Sequence, residues 1–147
     1  MQVNCKLSGT ALDFIFRIAT PLSVASPDLI VTNKKKGKRK SVIVYLPETL
    51  NNYLEQIALN FNCSKVETMT AIVEVFAQSG LKIDEVLQVT YLAKKYSRPN
   101  AIKLTQAAIC AGLLEYLSKQ KLSVSDWQIF NDTANDIRGQ KRKYTKK

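Results

Sequence analysis

Alternation followed by helical spacing makes the middle of the chain its most legible part. Val42, Val44 and Leu46 fall on one face of an extended stretch and Ser41, Ile43 and Tyr45 on the other, the period of two expected of a half-buried strand. Pro47 then supplies a backbone angle suited to the first turn of a helix. Leu50, Tyr53, Leu54, Ile57, Ala58 and Phe61 recur at helical spacing behind it. Asn62 and Cys63 break the pattern. Ser64-Lys65-Val66-Glu67 matches a capping box, in which the serine caps a first-turn amide and the glutamate reaches back. A second helix is predicted from there, with Val66, Met69, Ile72, Val73 and Phe76 on one side. Ser79-Gly80 ends it, glycine supplying a left-handed cap.

Beyond Gly80 the pattern predicts helices throughout. One spans residues 83–96. Pro99 stops it and starts another, which runs to about residue 119 through Ile102, Ile109, Leu113, Tyr116 and Leu117. Ser123 and Asp126 open a last helix that aligns Val124, Trp127, Phe130, Ala134 and Ile137. The first 33 residues are patterned less firmly: residues 3–7 alternate weakly, 11–18 read as a helix or a strand, Pro21 and Pro27 interrupt, and Leu29-Ile30-Val31 reads as a short strand. A thin echo at an offset of 35 relates residues 58–75 to 93–110. The expected fold class is mainly α, one strand and two helices forming a module that a C-terminal helical extension follows. The expected organisation is an N-terminal segment at 1–33, a basic arm and the module at 34–80, a helical oligomerisation or partner domain at 81–137, and a basic tail at 138–147.

Size and composition allow one sizeable core or a small module with an accessory unit: 147 residues, 46% of them hydrophobic. Five Gly and four Pro are too few for a loop-rich all-β fold. Charge sharpens the picture. The net charge is +10, and the excess sits in two runs, Lys34-Lys35-Lys36-Gly37-Lys38-Arg39-Lys40 and the tail with Arg138, Lys141, Arg142, Lys143, Lys146 and Lys147. Outside them 10 basic residues face 12 acidic ones. A cationic patch so localised suits a polyanion, because neutralised phosphates release their counterions.

Other chemistries find little footing. There is no histidine, which removes the commonest general base and metal ligand. The only Gly-Lys step, Gly37-Lys38, lacks the rest of a phosphate loop. Asp84-Glu85 sits where a helix N-terminus favours negative charge. No enzyme, cofactor or metal site is therefore expected. Cys5, Cys63 and Cys110 are too scattered for a disulfide framework or zinc site and read as small buried hydrophobes in a reducing compartment. Tyr91, Tyr96, Tyr116 and Trp127 read as core. Asp13 and Arg17 interrupt the apolar stretch near the N-terminus, arguing against a secretory signal, and no stretch reaches the ~20 apolar residues that span a bilayer. A cytoplasmic location is expected.

The stretch from Lys38 to Ser79 resembles the ribbon-helix-helix DNA-binding family. The alternating strand 42–46, the following Pro47-Glu48 and the turn Asn62-Cys63-Ser64-Lys65 carry the resemblance over under a third of the chain. It implies that the strand pairs with its copy in a second subunit, since a lone strand must pair, and that the resulting ribbon enters the major groove of DNA. Ser41, Ile43 and Tyr45 would then contact bases. Lys38, Arg39, Lys40, Ser64 and Lys65 would contact phosphates, the latter two at the second helix's N-terminus, and Lys34, Lys35 and Lys36 would form a flexible arm. Ile43 and Tyr45 are less polar than such positions usually are, which adds weight to shape and phosphate contacts. The implied function is sequence-specific double-stranded DNA binding by a homodimeric transcriptional repressor, with a further protein partner for 81–137. Two rivals stand beside it. The strand can pair instead with Leu29-Ile30-Val31, leaving 33–40 as a basic hairpin loop. Or the chain is a helical protein-interaction adaptor, such as a plasmid relaxosome or partition accessory, whose basic termini bind nucleic acid non-specifically.

Overall fold

The alternating stretch before Pro47 forms a strand whose partner comes from the start of the same chain. The computed structural model of the protein describes residues 2–19, 29–30, 40–97 and 105–145. Strand β1 (Gln2–Leu7) leads into helix α1 (Gly9–Ala19), and a two-residue strand β2 (Leu29–Ile30) follows. Strand β3 (Lys40–Tyr45) leads into α2 (Glu48–Phe61) and α3 (Lys65–Ser79). After the short β4 (Leu81–Lys82) come α4 (Ile83–Ala93), a single 3-10 turn (Lys94–Tyr96), α5 (Gln106–Ser118) and α6 (Val124–Thr145). The described chain is thus mainly helical, as expected. It has six α-helices among the described residues, exceeding the two of the expected module and the three expected after it.

Both expected pairings of the middle strand are corrected. β3 pairs antiparallel with β1, Gln2 opposite Tyr45, Asn4 opposite Ile43 and Lys6 opposite Ser41. It needs no second subunit, and Leu29-Ile30 pairs elsewhere, with Leu81-Lys82. The physical reason lies in the alternation of β1. Val3, Cys5 and Leu7 face the same way and join Val42 and Val44 in one fully apolar sheet face. A two-stranded ribbon is marginal in water unless such a face is covered. Here α3 packs against β1 and α5 against β3.

The local signals at the helix ends are largely realised. Ser64 Oγ accepts from Glu67 N at 3.1 Å while Ser64 N donates to Glu67 Oε1 at 2.9 Å, closing the expected capping box. Ser123 and Asp126 make the same reciprocal pair before α6. Pro47 stands just outside α2, as its cap residue. Asn62 takes the left-handed conformation, φ 55° and ψ 42°, and its amide closes the end of α2. Gly80 has φ 74° but ψ 168°, so it uses glycine's freedom without adopting the left-handed helical turn expected there. α6 continues to Thr145, carrying residues 138–145 on the helix beyond its expected end.

A single core runs from Val3 to Ala134 through every helix. The expected boundary near residue 80 falls inside it, since α5 lies under the ribbon. Its internal order is a repeat. Residues 2–19 align with 41–58 at an offset of 39, Val3 with Val42, Cys5 with Val44, Leu7 with Leu46, Ile15 with Leu54 and Ile18 with Ile57, and all of these are buried. Exchanging β1 with β3, α1 with α2, α3 with α5 and α4 with α6 reproduces the main packing neighbours: α3 and α5 each contact both α1 and α2, α6 covers α3 as α4 covers α5, and α6 touches α2 as α4 touches α1. One chain therefore holds two similar halves meeting at an antiparallel ribbon.

Candidate nucleic-acid interface

Pleating decides which side chains the ribbon offers to solvent. With the odd positions of β1 and the even ones of β3 sealed against helices, Gln2, Asn4 and Lys6 on one strand and Ser41, Ile43 and Tyr45 on the other form the outer face. All six are exposed. Ile43 and Tyr45 retain 46% and 60% of their accessible surface, a large apolar exposure on so narrow an element. Gln2 Nε2 donates to Tyr45 Oη at 3.3 Å, bridging the strands at one end. Lys40 is exposed where β3 begins. The expected base contacts Ser41, Ile43 and Tyr45 are thus brought together on one surface. Sequence reading missed their neighbours Gln2, Asn4 and Lys6. The signal for these three was present in the match of Val3-x-Cys5-x-Leu7 to Val42-x-Val44-x-Leu46, at an offset other than the 35 noticed.

The expected phosphate contacts divide into two places. Lys40 adjoins the ribbon, whereas Ser64 and Lys65 lie at the α2–α3 turn. There Ser64 is engaged in the capping box, and Lys65 Nζ donates to Asn51 Oδ1 at 3.1 Å and Glu55 Oε1 at 3.4 Å on α2. Arg138 reaches the same turn from α6, its Nη1 donating to the carbonyl of Asn62 at 2.6 Å. A shallow groove between them is lined by Ala58, Leu59, Cys63, Ser64, Glu67 and Arg138. The basic arm Lys34, Lys35 and Lys36, with Lys38 and Arg39, lies outside the described residues. Lys141, Arg142 and Lys143 lie on α6, their side chains outside the described part.

Under the ribbon the chemistry is quiet. Cys5 and Cys110 are buried free thiols. Burial pushes Cys5 up to about 11 against a small opposing hydrogen bond with Thr70, and burial likewise raises Cys110. Cys63 is half-buried. Among the described residues no three His, Cys, Asp or Glu side chains gather as metal ligands, and no helix is long and apolar enough to cross a membrane. Of the aromatic side chains expected in the core, Tyr116 is buried and Tyr96 and Trp127 are partly so, but Tyr91 is 70% exposed on α4, beside the exposed Leu87. No known protein family, curated protein or solved structure matches the chain.

Proposed function

We propose that the protein binds double-stranded DNA by inserting the outer face of the β1–β3 ribbon into the major groove, and that it acts as a transcriptional repressor of ribbon-helix-helix type. The observation that supports this reading best is the ribbon itself. Its inner face is sealed by α3 and α5, so it stands as a two-stranded element packed on one side with a wholly exposed outer face. A two-stranded ribbon has the width the major groove admits. The six outer side chains include an amide donor and acceptor in Asn4, a cation in Lys6 and an apolar contact for a thymine methyl in Ile43. Lys40, exposed where β3 begins, sets a cation beside the groove-facing surface for phosphate contact, and in sequence it closes the basic run.

The test is binding to duplex DNA as a function of salt and sequence. If about five phosphates are neutralised, log K falls with log salt at a slope of about −4 to −5. Replacing Ser41, Ile43 and Tyr45 together with alanine is expected to abolish sequence preference while leaving the circular dichroism unchanged, since all three point away from the core. A second reading, a helical adaptor bound to nucleic acid only through its basic termini, is favoured by the exposed Leu87 and Tyr91 on α4. It requires that the triple alanine variant bind as the parent does, which would sink the ribbon reading.

A further inference from the structure

The two halves of the ribbon agree on the inside and differ on the outside. Across the offset of 39, the inward pairs Val3 and Val42, Cys5 and Val44, Leu7 and Leu46 are apolar on both strands. The outward pairs are Gln2 and Ser41, Asn4 and Ile43, Lys6 and Tyr45, and each changes chemical class. A ribbon built from two copies of one chain presents the same side chains on both strands, related by a two-fold axis, and so matches a palindrome. This ribbon is complete within one chain, with its centre between Asn4 and Ile43, and its two ends carry different donors, acceptors and apolar surface.

We infer that a single chain reads a non-palindromic duplex site, with Gln2 and Tyr45 specifying one end, Lys6 and Ser41 the other, and Asn4 and Ile43 the centre. The inference rests on the reading of the ribbon as the DNA-contacting element and adds β1 to the specificity-determining residues. Asparagine pairs bidentately with the Hoogsteen edge of adenine and lysine with that of guanine, whereas isoleucine packs on the thymine methyl. Asn4 at the centre and Lys6 at one end therefore favour purines through hydrogen bonds. Ile43 adds apolar contact at the centre, and the other end selects through Gln2 and the phenol of Tyr45, whose Oη already accepts from Gln2. Substitution of Lys6 should relax selection at one end of the site and substitution of Gln2 at the other, each leaving the opposite end unchanged.

Selection from a randomised duplex library, with the mass of the resulting complex measured by sedimentation, tests this. The expected result is one chain per duplex and an enriched site without dyad symmetry. Lys6→Ala is expected to lose discrimination by roughly tenfold to a hundredfold at positions confined to one end, and Asn4→Ala by a similar factor at the central positions. The combined variant Gln2→Ser, Asn4→Ile, Lys6→Tyr makes the outer face identical on both strands and is expected to enrich a palindrome. Should that triple variant fail to fold, the single Lys6→Ala selection still decides the matter. A palindromic site bound by two parent chains overturns the inference but leaves DNA reading by the ribbon standing, provided the variant lacking Ser41, Ile43 and Tyr45 still loses preference. Unchanged selection by every ribbon variant, or no enrichment at all, removes the functional reading and the inference with it.

Discussion

Glu74 shows how one side chain fixes the strand that alternation alone left indistinct. It is buried on α3, and its carboxylate accepts from Ser8 N at 3.0 Å and from Ser8 Oγ at 2.6 Å, tying the end of β1 to the helix beneath. Glu74→Ala removes both bonds and leaves a partly buried amide without this acceptor, and is expected to cost about 1–3 kcal/mol in urea unfolding. The fluorescence of Trp127, the only tryptophan, is the natural probe because its ring packs edge-on against Phe61 at 6.2 Å. Tyr116 makes a prediction in pH. Burial first, and then the Glu85 carboxylate to which its Oη donates at 2.9 Å, push its pKa up from 10.0 to about 12. The fold favours the protonated phenol, so this contribution is whole below about pH 10 and is lost as pH rises through about 12. Tyr116→Phe should flatten the alkaline fall in stability across that window, measured as the difference between the two unfolding curves.

Among the elements, α4 and α5 cross at Gly112 with no room to spare. A Cβ there would meet Ala93 Cβ at 2.9 Å and the Val89 carbonyl oxygen at 2.9 Å, and the backbone oxygen cannot step aside. Gly112→Ala is expected to destabilise by about 1–2 kcal/mol despite alanine's better helix propensity, with the melting temperature as the readout. Legibility also varied by element, for physical reasons. β3, α2 and α3 were readable because their signals are local: strict alternation, helical spacing and a capping box each act within a few residues. The partner of β3 was not, because strand pairing across 39 residues leaves no mark on either strand alone. Val3, Cys5 and Leu7 alternate with Gln2, Asn4 and Lys6 as well as β3 does. Cysteine is a poor strand signal, however, and only alignment with Val42-x-Val44-x-Leu46 gives β1 its meaning. The outer face was half legible for the same reason: Ser41, Ile43 and Tyr45 were found, and their neighbours on β1 were not.

At the scale of the molecule, the ribbon joins two halves that share one core, and neither strand is dispensable. Removing residues 1–8 strips Val3, Cys5 and Leu7 from the core and leaves the whole edge of β3 unpaired. Exposed strand edges recruit other strands. The truncated chain is therefore expected to self-associate or unfold, whereas the intact chain is expected to keep its ribbon without recruiting a second copy, and light scattering separates the two outcomes. Similar halves within one chain also alter what heredity can do to the surface. When two identical subunits supply a ribbon, every codon change is felt twice, and a new preference on one side is mirrored on the other. Here a codon for Asn4 can drift while that for Ile43 stays fixed. Each strand of the face is thus inherited separately and open to selection on its own.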